Sequence, residues 1–159
     1  MKEFKDRVAV VTGGAGGIGK ALVKACVAEG MKVVIGDVEE PVLKATCEEL
    51  GAAVTGRVTD VSDPVSVQAL ADYTFETHGA CHLLFNNAGV SAPNLDTWET
   101  EPSDFQWVHG VNVAGVAHGI QAFVPRMIGR ETMEATLVER AKKLARGECP
   151  IELEHMGLS

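Results

Sequence analysis

The sequence predicts an α/β protein with a doubly wound parallel sheet of about four strands in the order 3-2-1-4 and a C-terminal helix. Short β-branched segments, typical of buried strands, alternate with segments of helical periodicity. The connections between them are short, which favours right-handed βαβ crossovers and a sheet covered on both faces. Five glycines between Gly13 and Gly19 join the first strand to the first helix. These observations together predict the fold class.

The first two strand–helix units occupy the N-terminal third of the chain. Their predicted elements are a strand over 7–12, a helix over 18–29, a strand over 32–36 and a helix over 41–50. The glycine cluster ends the first strand, and Gly30 ends the first helix. The second strand leads directly to Asp37, and Gly51 closes the second helix.

The pattern continues with two more strands. The predicted elements are a strand over 53–58, a helix up to His78, a strand over 82–87, a polar loop over 90–102 and a long helix over 103–128. Ser62, Asp63 and Pro64 supply a cap and a first-turn proline for the third helix. Three glycines and Pro125 interrupt the long helix, so we expect it to be irregular.

Beyond Gly129 the alternation stops. Acids in the first turn, bases in the last turn and Gly147 after it predict a helix over 131–146, with no clear fifth strand before it. Residues 148–159 carry too little pattern to assign. We therefore expect a dinucleotide-binding domain over 1–128 and a helical tail over 129–159 that packs on it or extends from it.

Composition and charge exclude several classes of function. The chain has 159 residues, 46% of them hydrophobic, and a formal net charge of -8. An acidic protein is a poor partner for nucleic acid or an anionic membrane surface. No apolar stretch has the length of a membrane-spanning helix, and the charged first residues do not form a secretory signal. These features predict a single soluble cytoplasmic domain.

Cysteine spacing gives no support for a metal site. The four cysteines are far apart in sequence, and no two of them have the spacing of metal ligands, so we expect no bound metal. We interpret the cysteines as reduced structural thiols.

The glycine turn is the first candidate binding element. Thr12–Gly19 reads TGGAGGIG, and its last six residues satisfy G-x-G-x-x-G between a predicted strand and a predicted helix. Such glycines allow a tight turn and a close approach of backbone amides to a pyrophosphate at the helix N-terminus. The pattern indicates a Rossmann-like dinucleotide site. The alternative is a tight strand-to-helix turn that binds no ligand.

Asp37 is the second candidate binding element. It follows the second strand, where a carboxylate can accept hydrogen bonds from the adenosine ribose hydroxyls. Its charge repels a 2′-phosphate, and neither Lys nor Arg lies beside it or in the glycine turn. The sequence therefore favours NAD over NADP. The alternative is an ordinary solvated loop aspartate.

In these residues the chain resembles the short-chain dehydrogenase/reductase family. The resemblance covers about Arg7 to Ile128, the cofactor-binding half of such a protein. It rests on five elements in the family's order: TGGAGGIG at Thr12–Gly19, Asp37, Asp60-Val61, Asn86-Asn87-Ala88-Gly89, and Asn112 within VNVAG.

The resemblance implies roles for these residues. Asp60 would bind the adenine amino group, with Val61 beside it, and the turn after the fourth strand would contact the ribose of the nicotinamide. Asn112 is the implied catalytic residue, which would order a water in a proton relay. The implied cofactor-binding residues are Gly13, Gly16, Gly17, Ile18, Gly19, Asp37, Asp60, Val61, Asn87, Ala88 and Gly89. The alternatives are that Asp60 only flanks a helix and that Asn86 and Asn87 only complete a turn.

The chain departs from the family pattern at the catalytic residues. Family members transfer hydride with a Tyr-x-x-x-Lys pair and a Ser. The only tyrosine here is Tyr73, which is followed four residues later by Thr77, and the only serine after Asn112 is Ser159. Lys142 and Lys143 are interpreted as cations of a last helical turn. The resemblance thus predicts a truncated family member with weakened NAD binding and no ordinary turnover.

Three functions remain open. The chain is an NAD-dependent oxidoreductase by ancestry, acting on an unknown alcohol or carbonyl compound if it is active at all. Alternatively, it is a non-catalytic nucleotide-binding or regulatory module that associates with itself or with full-length relatives through helix 103–128. The third hypothesis is a marginal fragment, since strand 82–87 would form a sheet edge that invites pairing with other chains.

Overall fold

The computed structural model describes residues 3–92 and 96–129. The chain divides into two compact units, Met1–Met127 and Ile128–Ser159. The first unit holds a sheet of four strands and the helices around it. Its elements are β1 (Val8–Thr12), α1 (Gly17–Ala28), β2 (Lys32–Asp37), α2 (Glu40–Leu50), a 3-10 turn (Gly51–Ala53), β3 (Val54–Val58), α3 (Pro64–His78), β4 (Leu83–Phe85), α4 (Pro102–His109), a π-helical turn (Gly110–Ala114) and α5 (Gly115–Met127).

The sheet confirms the predicted fold class and strand order. The strands lie in the order β3-β2-β1-β4, and every pairing is parallel. Val10 of β1 lies opposite Val34 of β2 and Leu84 of β4. All four strands therefore end at one edge of the sheet, on both sides of the point where the strand order reverses between β1 and β4.

Each face of the sheet has its own hydrophobic core. Val11 and Ile35 face the first core, which contains Val23 of α1 and Leu43 of α2. Val10 and Val34 face the second core, which α3 and α5 complete. Because alternate residues of a strand point to opposite faces, a strand buried on both faces is apolar throughout. This explains why β1 and β2 appear in the sequence as continuous apolar segments.

Two predicted elements differ from the observed ones by more than one residue at an end or by an interruption. The fourth strand was expected over 82–87 but ends at Phe85, since Asn86 and Asn87 already belong to the turn that follows it. The long helix expected over 103–128 is divided by the π-helical turn into α4 and α5. The glycines predicted its irregularity, but only the structure shows a π-helical turn.

The remaining expectations concern the edge of the sheet and the tail. Among the described residues, β4 pairs with β1 alone, and its pairing with other chains stays a prediction. The helix expected over 131–146 and the unassigned segment 148–159 lie outside the described residues. Within residues 3–92 and 96–129, no helix is both long and apolar enough to cross a membrane.

The contact between α1 and the turn before it depends on Gly19. This residue is buried, and a Cβ atom there would overlap the carbonyl oxygen of Gly13 and approach Nδ2 of Asn87 to 2.7 Å. Gly16, three residues earlier, has open space where its Cβ would lie and an extended φ of -142°. Two glycines of one motif therefore tolerate side chains very differently.

We expect Gly19→Ala to destabilise the domain by about 3 kcal/mol or more, because the added methyl group meets rigid backbone. Gly16→Ala is the matched control, and we expect it to change the free energy of unfolding by less than about 1 kcal/mol. Urea unfolding followed by circular dichroism measures both. Equal stability of the two variants would contradict the packing role of Gly19.

Candidate functional site

A cleft of about 390 Å³ lies at the carboxyl ends of the strands. Its volume is within the range of small-molecule sites in proteins. The loops after all four strands contribute to it, together with α2 and the helical segment that contains Trp107 and Val111. Its lining consists of Gly13, Ala15, Gly16, Asp37, Val38, Glu39, Val42, Thr59, Asp60, Val61, Ser62, Ala88, Gly89, Val90, Trp107 and Val111.

The glycine turn presents backbone to this cleft. Gly13 has a φ of +64°, and a Cβ atom there would lie 2.9 Å from Cα of Ala88. Gly16 and Gly17 have open space beside them, and no side chain caps the N-terminus of α1. Uncapped amides at a helix N-terminus attract anions. The turn therefore fits a phosphate group, whereas Ile18 points outward with 77% of its surface exposed.

Thr12 and Asn87 join the glycine turn to the turn after β4. The Thr12 hydroxyl accepts hydrogen bonds from the backbone amides of Asn87 and Ala88, both at 3.1 Å, and donates one to the carbonyl oxygen of Phe85. Nδ2 of Asn87 donates to the carbonyl oxygens of Thr12 and Gly13 at 2.9 and 3.2 Å. Asn87 thus holds the backbone of the cleft in place, a role for which its position in the NNAG motif gave no signal.

Asp37 lies at the end of β2 and contacts two loops. Oδ2 accepts a hydrogen bond from the amide of Ala15 at 3.0 Å, and Oδ1 accepts one from the amide of Glu39 at 3.1 Å. A carboxylate has about four acceptor sites, so each oxygen retains capacity for a ligand hydroxyl. The structure places Asp37 in the cleft and gives it a structural role that neither sequence interpretation included.

Asp60 and Val61 form the wall of the cleft after β3. Oδ1 of Asp60 accepts hydrogen bonds from the amide and the hydroxyl of Ser62 at 2.9 and 2.7 Å, and the Asp60 side chain is exposed. Val61 is buried, and its carbonyl oxygen lies 2.9 Å from Nδ1 of His118 in α5. A carbonyl oxygen only accepts, so Nδ1 of His118 carries the hydrogen. The loop is therefore fixed to α5 by His118, a residue that belongs to no recognised motif.

Asn112 lies in the π-helical turn and does not line the cleft. Its Oδ1 accepts from the Val90 amide and its Nδ2 donates to the Val90 carbonyl, both at 2.8 Å. Among the described contacts, both ends of its side-chain amide bind this one residue of the loop after β4. π-Helical turns often occur at functional sites. Here the turn presents Asn112 to that loop, and its implied role in a proton relay stays a prediction.

The cleft is negatively charged. Asp37, Glu39 and Asp60 line it, and none of the described lining residues is Lys or Arg. Lys20, the first residue after the glycine turn, forms an ion pair with Glu49 at 2.7 Å. Hydrogen bonds from Lys20 and from Lys24 lower the pKa of Glu49 to about 2. Lys20, the cation nearest in sequence to the glycine turn, is therefore held in an ion pair at the surface of α1 and α2.

Metal ligands and reactive thiols are not gathered at this site. Within the described residues, no group of three or more His, Cys, Asp or Glu could hold a metal ion. Burial raises the pKa of the Cys81 thiol to about 12, so this cysteine is an unreactive core residue. Tyr73 packs from α3 against the second core and does not line the cleft.

The cleft contains both residues that the sequence predicts and residues that it does not. Seven implied residues line the cleft: Gly13, Gly16, Asp37, Asp60, Val61, Ala88 and Gly89. Val38 and Glu39 also line the cleft, and their position directly after Asp37 could have predicted this. Trp107 gave no signal, because it lies outside every motif, five residues before Asn112, and only the fold brings it to the cleft.

A parallel sheet with an open glycine turn at its switch point defines an α/β nucleotide-binding domain. The family model for short chain dehydrogenases matches residues 7–138, past the last recognisable motif at Asn112. The chain therefore belongs to the short-chain dehydrogenase family.

Individual relatives agree with this assignment. A C alpha-dehydrogenase of a Sphingobium species is 42% identical over 132 residues, which are 80% of this chain and 43% of that protein. A short chain dehydrogenase/reductase of Burkholderia phymatum, solved in complex with NAD, has a TM-score of 0.78 and 49% identity, over 82% of this chain and 47% of that one. A 3-ketoacyl-(acyl-carrier-protein) reductase of Brucella melitensis, complexed with NADH, has a TM-score of 0.75 and 29% identity, over 77% of this chain and 51% of that one. The chain spans about half the length of the curated relatives it matches.

We expect Thr12→Val to cost about 2 kcal/mol or more of unfolding free energy. The valine has the same shape, but it leaves the amides of Asn87 and Ala88 without their buried acceptor. Thr12→Ser retains the hydroxyl and should cost clearly less. Urea unfolding compares the two, and a Ser variant as unstable as the Val variant would show that the methyl group, not the hydroxyl, matters.

Proposed function

We propose that this chain binds NAD and that it descends from oxidoreductases that transfer hydride between NAD and an alcohol or carbonyl compound. The observation that carries the proposal is the open backbone at the uncapped N-terminus of α1, where Gly16 lines the cleft and Gly17, directly after it, also has open space beside it. A pyrophosphate would accept hydrogen bonds from these amides without meeting a side chain. Relatives solved with NAD or NADH support the same ligand class.

For the adenosine end of the ligand, we propose residues whose carboxylate oxygens can accept further hydrogen bonds. Asp37 would accept from the ribose hydroxyls with the capacity that its two amide bonds leave unused. Asp60 would accept from the adenine amino group, since its described bonds to Ser62 involve Oδ1 alone. Ala88 and Gly89 would offer backbone to the nicotinamide end of the cleft, which Asn87 fixes through its bonds to the glycine turn.

We propose that the site prefers NAD to NADP. The 2′-phosphate of NADP would bring further negative charge beside Asp37 and Glu39, and no described lining residue is a cation. Lys20 and Lys24, the cations of α1, already bind Glu49. Charge repulsion of this kind discriminates more strongly when the groups are partly buried, as Asp37 is.

We propose that the chain by itself has little or no turnover. NAD, when bound, supplies a hydride acceptor, but the reaction also needs a group that moves the substrate proton. Within the 159 residues, no Tyr is followed four positions later by Lys. Tyr73 cannot substitute, because it packs against the second core away from the cleft. Loss of a positioned proton-transfer group typically costs about 10²- to 10⁴-fold in rate.

Thermal melting in the presence of NAD tests the proposed binding. A ligand present at about a hundredfold excess over Kd stabilises the folded state by about 2.7 kcal/mol, which raises the Tm by several degrees. We expect such a shift with NAD, a much smaller one with NADP, and no NADH formation from primary or secondary alcohols above the protein-free rate. A larger shift with NADP would contradict the proposed role of Asp37 and Glu39.

Gly16→Val is the matched variant for this experiment. Its side chain fits the extended backbone at Gly16 but projects into the open space that the pyrophosphate would need. We therefore expect a Tm without ligand close to that of the parent chain and no shift with NAD. If NAD stabilises this variant equally, it binds elsewhere.

Association through α4 and α5 is a second candidate function, as a non-catalytic module. Three large apolar side chains on α4, the π-helical turn and α5, which are Phe105, Val113 and Ile120, are 44%, 61% and 49% exposed. Their spacing of eight and seven residues places them near one side of a helical segment. Such a row favours a second copy or a full-length relative as partner.

We expect Ile120→Glu to abolish self-association or capture of a full-length relative, because it places a charge among these apolar side chains. Gln121→Glu adds the same charge at the neighbouring exposed position and should have no effect. Analytical ultracentrifugation and co-purification measure the outcome. Association that survives in Ile120→Glu would exclude this surface.

A further inference from the structure

Trp107 stands out among the cleft residues because no motif accounts for it. It lies in the last turn of α4, is 50% exposed and lines the cleft. A large aromatic side chain that is half exposed beside a polar cleft makes little contribution to the core. It does offer a flat apolar surface to a flat ligand group.

The position of Trp107 is fixed by contacts around it. Val111, four residues later on the same side of the helical segment, is buried in the second core together with Val61. A Cβ atom at Gly110 would lie 3.5 Å from Cβ of Ser62, so the helical segment passes close to the loop after β3. Trp107 therefore lies beside the Asp60–Ser62 loop, one turn before Val111.

The segment after β2 and helix α2 supply aliphatic side chains to the same cleft. Val38 follows β2, and Val42 lies in α2, whose neighbouring Leu43 is buried in the first core. The helical segment of Trp107 belongs to the second core, on the other face of the sheet. Elements from opposite faces of the sheet thus supply aliphatic and aromatic surface to one cleft, and both kinds of surface suit a planar heterocycle.

We infer that Trp107 stacks on the adenine base and determines the preference of this site for adenine nucleotides. This inference rests on the proposed function, because it assigns the base end of the same ligand. Asp60, in the loop beside Trp107, would hold the edge of the base while the indole covers its face. The ligand class that follows is adenosine diphosphate compounds, including ADP-ribose as well as NAD, because the contact involves no part of the nicotinamide.

Base stacking on an aromatic side chain contributes about 1 to 3 kcal/mol when measured by substitution with alanine. We therefore expect Trp107→Ala to weaken binding of NAD and of ADP-ribose about tenfold or more, and Trp107→Phe to weaken it less. Trp98→Ala is the control, because Trp98 is the only other tryptophan, is 83% exposed and does not line the cleft. Isothermal titration calorimetry measures each Kd, and melting without ligand checks that each variant is folded.

A fluorescence titration separates this inference from the proposed function. In Trp98→Phe, Trp107 is the sole tryptophan, and we expect NAD and ADP-ribose to quench its emission and nicotinamide mononucleotide to leave it unchanged. If NAD raises the Tm but neither quenches Trp107 nor binds Trp107→Ala more weakly, the stacking role is wrong and the binding site stands. If NAD neither raises the Tm nor binds in calorimetry, both are wrong.

Discussion

The close approach of the glycine turn to its neighbours is the constraint on which the rest of this structure depends. Gly19 brings α1 against the carbonyl of Gly13, and Gly13 lies against the backbone of Ala88. This contact sets the direction of α1, so that its N-terminus opens into the cleft. It also brings the turns after β1 and β4 close enough for Thr12 and Asn87 to join them. One steric requirement therefore shapes both the core and the cleft.

The polar residues of the site also hold its loops in place. Asp37 binds the amides of Ala15 and Glu39, Asp60 binds Ser62, and Asn112 binds both backbone groups of Val90. A loop that is held by hydrogen bonds before ligand arrives loses less conformational entropy on binding. The sequence offers a loop-holding role and a ligand-binding role for these residues as alternatives. In the molecule, one side chain can fulfil both roles.

Under the proposed function, the cleft and the catalytic residues of the family are separate parts of the fold. Residues from the loops after all four strands already line the cleft, whereas the sequence contains no Tyr-x-x-x-Lys. Binding of an adenine dinucleotide needs backbone amides and carboxylates, which the first half of such a fold supplies. Hydride transfer also needs a proton donor aligned with the substrate, and a misplacement of about 1 Å can cost about 10²-fold in rate.

The sequence by itself determined the α/β class and most of the element boundaries, because apolar periodicity and glycine positions are local signals. The strand order was expected from the Rossmann-like arrangement that the glycine turn indicates. The sequence also identified the glycine turn, Asp37 and Asp60, since these follow strands that must end at one edge. Only the tertiary structure decided that β4 ends at Phe85, that a π-helical turn divides the long helix, and that Asn87 and Asn112 hold loops. It alone placed Trp107 and His118 beside the loop after β3. These contacts join residues far apart in the chain, and their partners depend on how the helices pack, which no local pattern encodes.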